Sequence, residues 1–206
     1  MKMNEYLQTY WKQYLLIEKE LINTSLYVSL ETDNFNTYSP IYLKLILEIG
    51  SELDNVFKEI SGLSGRTSIG DYAKTILAKY PAITTQSVSV KDSNIIVRPF
   101  DGWNTTQPSQ SLAFWGKYNL IKHERNINYK QASLSTTIHS LSGLFVLLMY
   151  RMNEIYVSDP DAFANMPDGN ESELLALVCW EMHIRTNKMQ SPYPVFDDSI
   201  GGKELI

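Results

Sequence analysis

The sequence predicts a mainly α fold: a helical bundle with one small β-hairpin inserted around residues 87–98. Apolar residues recur at steps of three and four through 4–22, 42–60 and 134–152, the spacing of one helical face. Ser39-Pro40 and Ser68 with Asp71 are helix-start signals. By contrast, "QSVSVKDSNIIVRPF" alternates and carries β-branched residues on both sides of "KDSN", which suits two short strands and a turn.

Taken in order, residues 4–22 form an amphipathic helix with Tyr6, Tyr10, Tyr14, Ile17 and Leu21 on one stripe. A Thr-, Asn- and Ser-rich connection follows. The second helix starts at Ser39-Pro40, buries Tyr42, Leu45, Ile46, Ile49, Leu53, Val56, Phe57 and Ile60, and ends in "SGLSGRTS". A short helix, "IGDYAKTILAKY", is stopped by Pro81. After the hairpin, helical periodicity resumes near Leu112 and runs to Asn126, then from Asn128 to about Val157. "SDPDAFANMPDGNES" reads as an acidic loop. The stretch 173–189 fits a helix or a buried strand, and the expectation here is a helix. Residues 1–206 read as one domain, without internal repeats.

Composition narrows the function classes. Twenty-three acids against eighteen Lys and Arg give a net charge of −5, which disfavours a dedicated, strong duplex-DNA binder. A local basic patch or recognition of one short strand stays open. The single cysteine, Cys179, excludes an intrachain disulfide. The N-terminal residues lack a signal-peptide pattern, and "GLFVLLMY" is too short for a bilayer, so the expected setting is the cytoplasm without membrane attachment.

Standard catalytic patterns are missing from the sequence. His123, His139 and His183 lie far apart and give no zinc-type spacing, so neither a metal nor another cofactor is expected. "DPDAFANMPDG" departs from a calcium loop, "GLSGRTS" lacks phosphate-loop spacing, and Cys179 sits among apolar residues where thiols are inert.

The chemistry concentrates in "FWGKYNLIKHERN", residues 114–126. At roughly 100° per residue in one continuous helix, Lys122 and Arg125 share the face of Phe114, Trp115, Tyr118 and Ile121. Asn119 and His123 lie on another flank. Cations beside aromatics need acids if their heads are buried. Glu52, on the flank of the second helix's stripe, and Asp54, near Gly50, are the candidate source. The expected pairing is Glu52 with Arg125 or Lys122, with His123 bonded through one ring nitrogen. Such a cluster is either an enclosed polar lock between helices, the commoner arrangement, or a site in which His123 moves a proton while Arg125 and Lys122 hold an anion. His139, among small residues, is expected to be packed and hydrogen-bonded.

The motif W-x-x-Y-N-x-x-K-H-x-R, present as Trp115, Tyr118, Asn119, Lys122, His123 and Arg125, resembles the core of uncharacterised bacterial and phage-associated helical proteins. "GSELDNVFKEI", with Glu52 and Asp54, resembles their earlier helix. More distantly, the chain is similar to the HEPN superfamily. That resemblance implies a HEPN-like bundle, a homodimer, and a binding or regulatory role in a defence or conflict system, with RNA or a partner protein as ligand. It also implies candidate catalytic residues His123, Arg125, Lys122, Asn119 and Glu52, and ligand-binding residues Tyr118, Trp115 and Asp54. The HEPN ribonucleases place a histidine four to six residues after an arginine; here His123 precedes Arg125. The binding or regulatory component is therefore the leading expectation and a metal-independent ribonuclease the alternative; a binding module would dock its partner in a groove or apolar patch elsewhere, for which the strand edge along 87–98 is a candidate.

Overall fold

Met3 to Thr24 is one helical run in the computed structural model, which describes residues 1–158 and 171–178. It comprises α1 (Met3–Tyr6), a π-helical turn at Leu7–Trp11 and α2 (Lys12–Thr24). Its stripe buries Tyr6, Trp11, Tyr14, Ile17 and Leu21. Helix α3 (Pro40–Ser61) begins as the sequence signals. Ser39 Oγ accepts the Tyr42 N–H at 3.2 Å, Pro40 fills the first turn, and Gly62 closes the helix at φ 66°. All eight expected stripe residues of α3 are buried.

Helix α4 (Ile69–Lys79) carries a complete capping box, with Asp71 Oδ2 accepting the Ser68 N–H at 3.0 Å. Then β1 (Val88–Val90) and β2 (Ile96–Val97) form the expected hairpin, with Asp92 at φ 57° in its turn. Helix α5 (Ala113–His123), the short α6 (Arg125–Asn128) and α7 (Leu134–Ser158) follow. Residues 141–150 of α7 are buried on every side, so α7 is the central helix. Gly143 lets α5 approach it: a Cβ there would stand 2.7 Å from Phe114 Cζ.

Two expectations are corrected. Helix continuity through 112–126 breaks at Glu124, whose φ −135° and ψ 53° are not helical. The long helix starts at Leu134 instead of Asn128. The cause is non-local. The N–H groups of Leu134 and Ser135, unpaired in any helix's first turn, donate to Thr37 O at 2.8 Å and Phe35 O at 3.1 Å. Ser133 Oγ accepts the Thr136 N–H at 3.3 Å.

The second correction concerns 173–189. Leu175–Leu177 is a strand, β3, antiparallel to β1, with Val88 opposite Leu177 and Val90 opposite Leu175. The sheet order is β2-β1-β3, so β1 is the middle strand and its second edge is filled by the same chain, not left open for a partner. A buried carboxylate fixes β3. Glu18, 1% exposed, accepts bonds from Tyr14 Oη (2.6 Å), Ser172 Oγ, and the N–H groups of Glu173 (2.9 Å) and Leu174 (3.3 Å). Lys91 Nζ adds a bond to Ser172 O at 2.6 Å. The remainder of 173–189, with Cys179 and His183, and most of the acidic loop lie outside the described residues. Among the described residues, no helix is long and apolar enough to cross a membrane.

Candidate functional site

Helix α5 is positioned by its aromatics. Trp115 and Tyr118 are 7% and 6% exposed. Trp115 meets Phe57 of α3 edge-on at 5.5 Å, and the Tyr118 ring fills the space where Gly50 has no side chain. These rings therefore anchor the helix and leave little surface to a ligand. Lys122, one turn beyond Tyr118, emerges where the core ends. Its Nζ donates to Tyr118 Oη at 3.2 Å and stands 5.3 Å from the ring centroid, a cation–π arrangement.

The expected union of Glu52 with Lys122 or Arg125 is not made. Glu52 follows Gly50 by two residues, roughly 200° around the helix, and so turns toward α2. It lines a groove with Tyr10, Gln13, Asn55 and Glu59. Burial, then the neighbouring Glu48 charge, raises its carboxyl above the usual range, while a bond with Asn55 opposes the shift. Asp54 does face the Gly50 side, but Lys58 Nζ at 2.5 Å and Tyr72 Oη at 3.1 Å occupy it.

The enclosed lock is not formed either. Lys122, His123, Glu124 and Arg125 are all exposed, and His123 has no hydrogen bond among the described residues. Because the helix ends at His123, Arg125 departs from the aromatic face that a continuous helix would have given it. Asn119 and His123 instead line an open groove of about 560 Å³ with Lys117, Glu124, Ser109 and Gln110.

What the structure does present is a basic segment in which Lys122, Arg125 and Lys130 are exposed and Lys117 is half-buried. Residues 117–130 hold Lys117, Lys122, Arg125 and Lys130 against Glu124; four cations less one anion gives +3 in a chain of −5. None of these four forms an ion pair among the described residues, whereas Lys44, Lys58, Lys79 and Arg151 all do. Tyr129 stands at the end of the segment, edge-on to Tyr38 at 5.7 Å, and Tyr38 is 45% exposed. Reading the motif as a cation–carboxylate cluster passed over Lys117, Lys130, Tyr38 and Tyr129. The local charge count of 117–130 was the available signal for the two lysines.

His139 is packed as expected, with Nδ1 2.8 Å from Ser135 O and its ring edge-on to Phe35 at 6.5 Å. No group of three or more His, Cys, Asp or Glu able to hold a metal occurs among the described residues. Set against known protein families, curated proteins and solved structures, the chain matches none.

Proposed function

We propose that this chain is a HEPN-like, cytoplasmic binding or regulatory component of a bacterial or phage defence or conflict system, and that it holds RNA at residues 117–130. One observation carries the reading: one short segment holds four cations, Lys122, Arg125 and Lys130 exposed and Lys117 half-buried, without an ion-pair partner among the described residues, in a chain of net charge −5. Like charges left unpaired raise the local potential and draw phosphates. The exposed Tyr38, packed edge-on against the half-buried Tyr129, offers a face for an unpaired base, a combination suited to single strands.

The test is fluorescence anisotropy of a labelled single-stranded RNA across a salt series. Binding should weaken with salt, with a slope near −0.7 for each phosphate neutralised. Lys122→Glu with Arg125→Glu should abolish binding with at most a small fall in melting temperature, since both side chains are exposed and Lys122 gives up only its contact with Tyr118. Absence of binding at low salt, or binding indifferent to both substitutions, overturns the reading.

A second reading, the metal-independent ribonuclease, is favoured by the open groove that His123 shares with Asn119 and Lys117. Proton transfer requires a ring that substrate can reach. In that case His123→Ala removes cleavage of the bound RNA and leaves its affinity intact; no cleavage by the wild type rejects it.

A further inference from the structure

The basic segment holds one acid, and its carboxylate is unengaged. Glu124 is exposed at the corner after α5. Its backbone is fixed there, because its carbonyl accepts the N–H groups of Ile127 and Asn128 at 3.2 and 3.1 Å and the Asn128 side-chain amide at 3.0 Å. The carboxylate itself forms no hydrogen bond or ion pair among the described residues. An anion inside a segment that draws phosphates weakens that pull, unless it bonds a donor of the same strand.

Glu124 lines the open groove of about 560 Å³ beside α5. Small-ligand sites span roughly 300–1,000 Å³, and the groove falls within that range. Its apolar side is one face of α5: Ala113, Gly116 and Leu120, at steps of three and four, with Leu120 46% exposed. Lys117 and Asn119 add hydrogen-bond donors. A second wall comes from the loop before α5 and lies close over the helix, since a Cβ on Gly116 would stand 3.3 Å from Ser109 O. That loop is held in advance: Trp103 Nε1 donates to Pro108 O at 3.1 Å, and Asn104 Oδ1 accepts the Gln107 N–H at 2.9 Å. A slot with an apolar side and polar groups at its edge suits an unstacked base read on its Watson–Crick edge.

We propose that this groove selects guanine, with the Glu124 carboxylate accepting guanine N1–H and the 2-amino group together. An ionised carboxylate is acceptor-only, with two oxygens side by side. Among the RNA bases, guanine alone presents two adjacent donors on its Watson–Crick edge. Adenine, cytosine and uracil each set an acceptor next to their donor, and a carboxylate is repelled by it. Guanine O6, beyond N1–H, takes its bond from Lys117 or Asn119. Bonds to an ionised acceptor are roughly twice as strong as neutral ones. Recognition within a strand rests on the RNA reading; the preference of the groove is measured apart from it with free nucleotides.

The test uses the full chain and has two arms. In the first, anisotropy compares uridine strands that carry a single guanine, adenine or cytosine. Guanine should tighten binding by about tenfold over the others, the discrimination of one good bidentate pair. Hypoxanthine in its place, which lacks the 2-amino group, should lose most of that gain, and Glu124→Gln should bind all the strands alike. In the second arm, guanosine monophosphate should shift the NMR signals of the Gly116 and Asn119 amides, and adenosine monophosphate should not. If Glu124→Gln fails to fold, the hypoxanthine strand decides. Equal affinity for every base, or a preference that survives with hypoxanthine or in the folded variant, overturns the proposal. Shifts by guanosine monophosphate without binding of any strand reject only the RNA reading; no shift and no bound strand reject both.

Discussion

The ring of Tyr118 occupies the place where residue 50 would carry its Cβ, so α3 and α5 meet as backbone against aromatic ring. The contact fixes which way α5 faces and hence which of its polar residues reach solvent.

Gly50→Ala should destabilise the protein. Alanine is favoured over glycine in a helix by up to ~1 kcal/mol, but overpacking a filled contact costs about 1–3 kcal/mol or more. Urea unfolding should show a net loss. Adding Tyr118→Ala should recover part of it, a coupling that a double-mutant cycle measures. Additive losses would mean that the ring moves aside freely.

Glu18→Ala should cost about 3 kcal/mol or more, because it strips the acceptor from two hydroxyls and two backbone N–H groups that are buried or partly buried. Hydrogen exchange should locate the loss. The amides of Glu173 and Leu174 and the β1–β3 ladder should exchange faster, while α7 keeps its protection. A uniform change across the molecule would contradict the local role.

Acidification should destabilise the fold through His139. Burial holds its ring below the ordinary value of 6.5; the Ser135 carbonyl opposes this, and the Lys117 charge adds to it. The unfolded chain then binds the proton first, so stability is full above about pH 6.5 and falls as pH drops toward the folded value. His139→Gln should flatten this segment of a stability–pH curve measured by thermal melts. An unchanged slope would assign the effect to other groups.

Glu52→Gln should stabilise the protein at neutral pH. The carboxyl is raised above its ordinary 4.5, so its ionisation is easier in the unfolded chain, and stability declines as pH climbs from about 4.5 through the folded value. The amide removes that decline and keeps a partner for Asn55. Melting temperatures at pH 4 and pH 7 should converge relative to the wild type; an amide variant less stable at pH 7 would refute the account.

The elements that the sequence announced are those controlled by neighbours a few residues away. Ser39 caps through Tyr42, Ser68 through Asp71, and the hairpin turns within "KDSN". The elements that it misplaced answer to distant backbone. The break at Glu124 leads to a helix start held by carbonyls of Phe35 and Thr37, and β3 exists where β1 offers an edge and Glu18 offers a carboxylate. Within the site, Trp115 and Tyr118 were legible as apolar positions. The direction of Glu52 was not, because a residue on the flank of a helical stripe can face either of two neighbouring helices. Arg125 was misdirected for a simpler reason: angles projected along α5 cease to apply once the helix ends.

The middle strand of the sheet has its two partners at very different distances along the chain. Val88 finds Val97 nine positions later but waits for Leu177, eighty-nine positions on. During synthesis, then, one side of Val88–Val90 stays bare while α5, α6 and α7 are made. The last rung closes only when Leu177 leaves the ribosome. Truncated products ending before Ser172 keep that side uncovered and are the forms of this protein most prone to stick to one another.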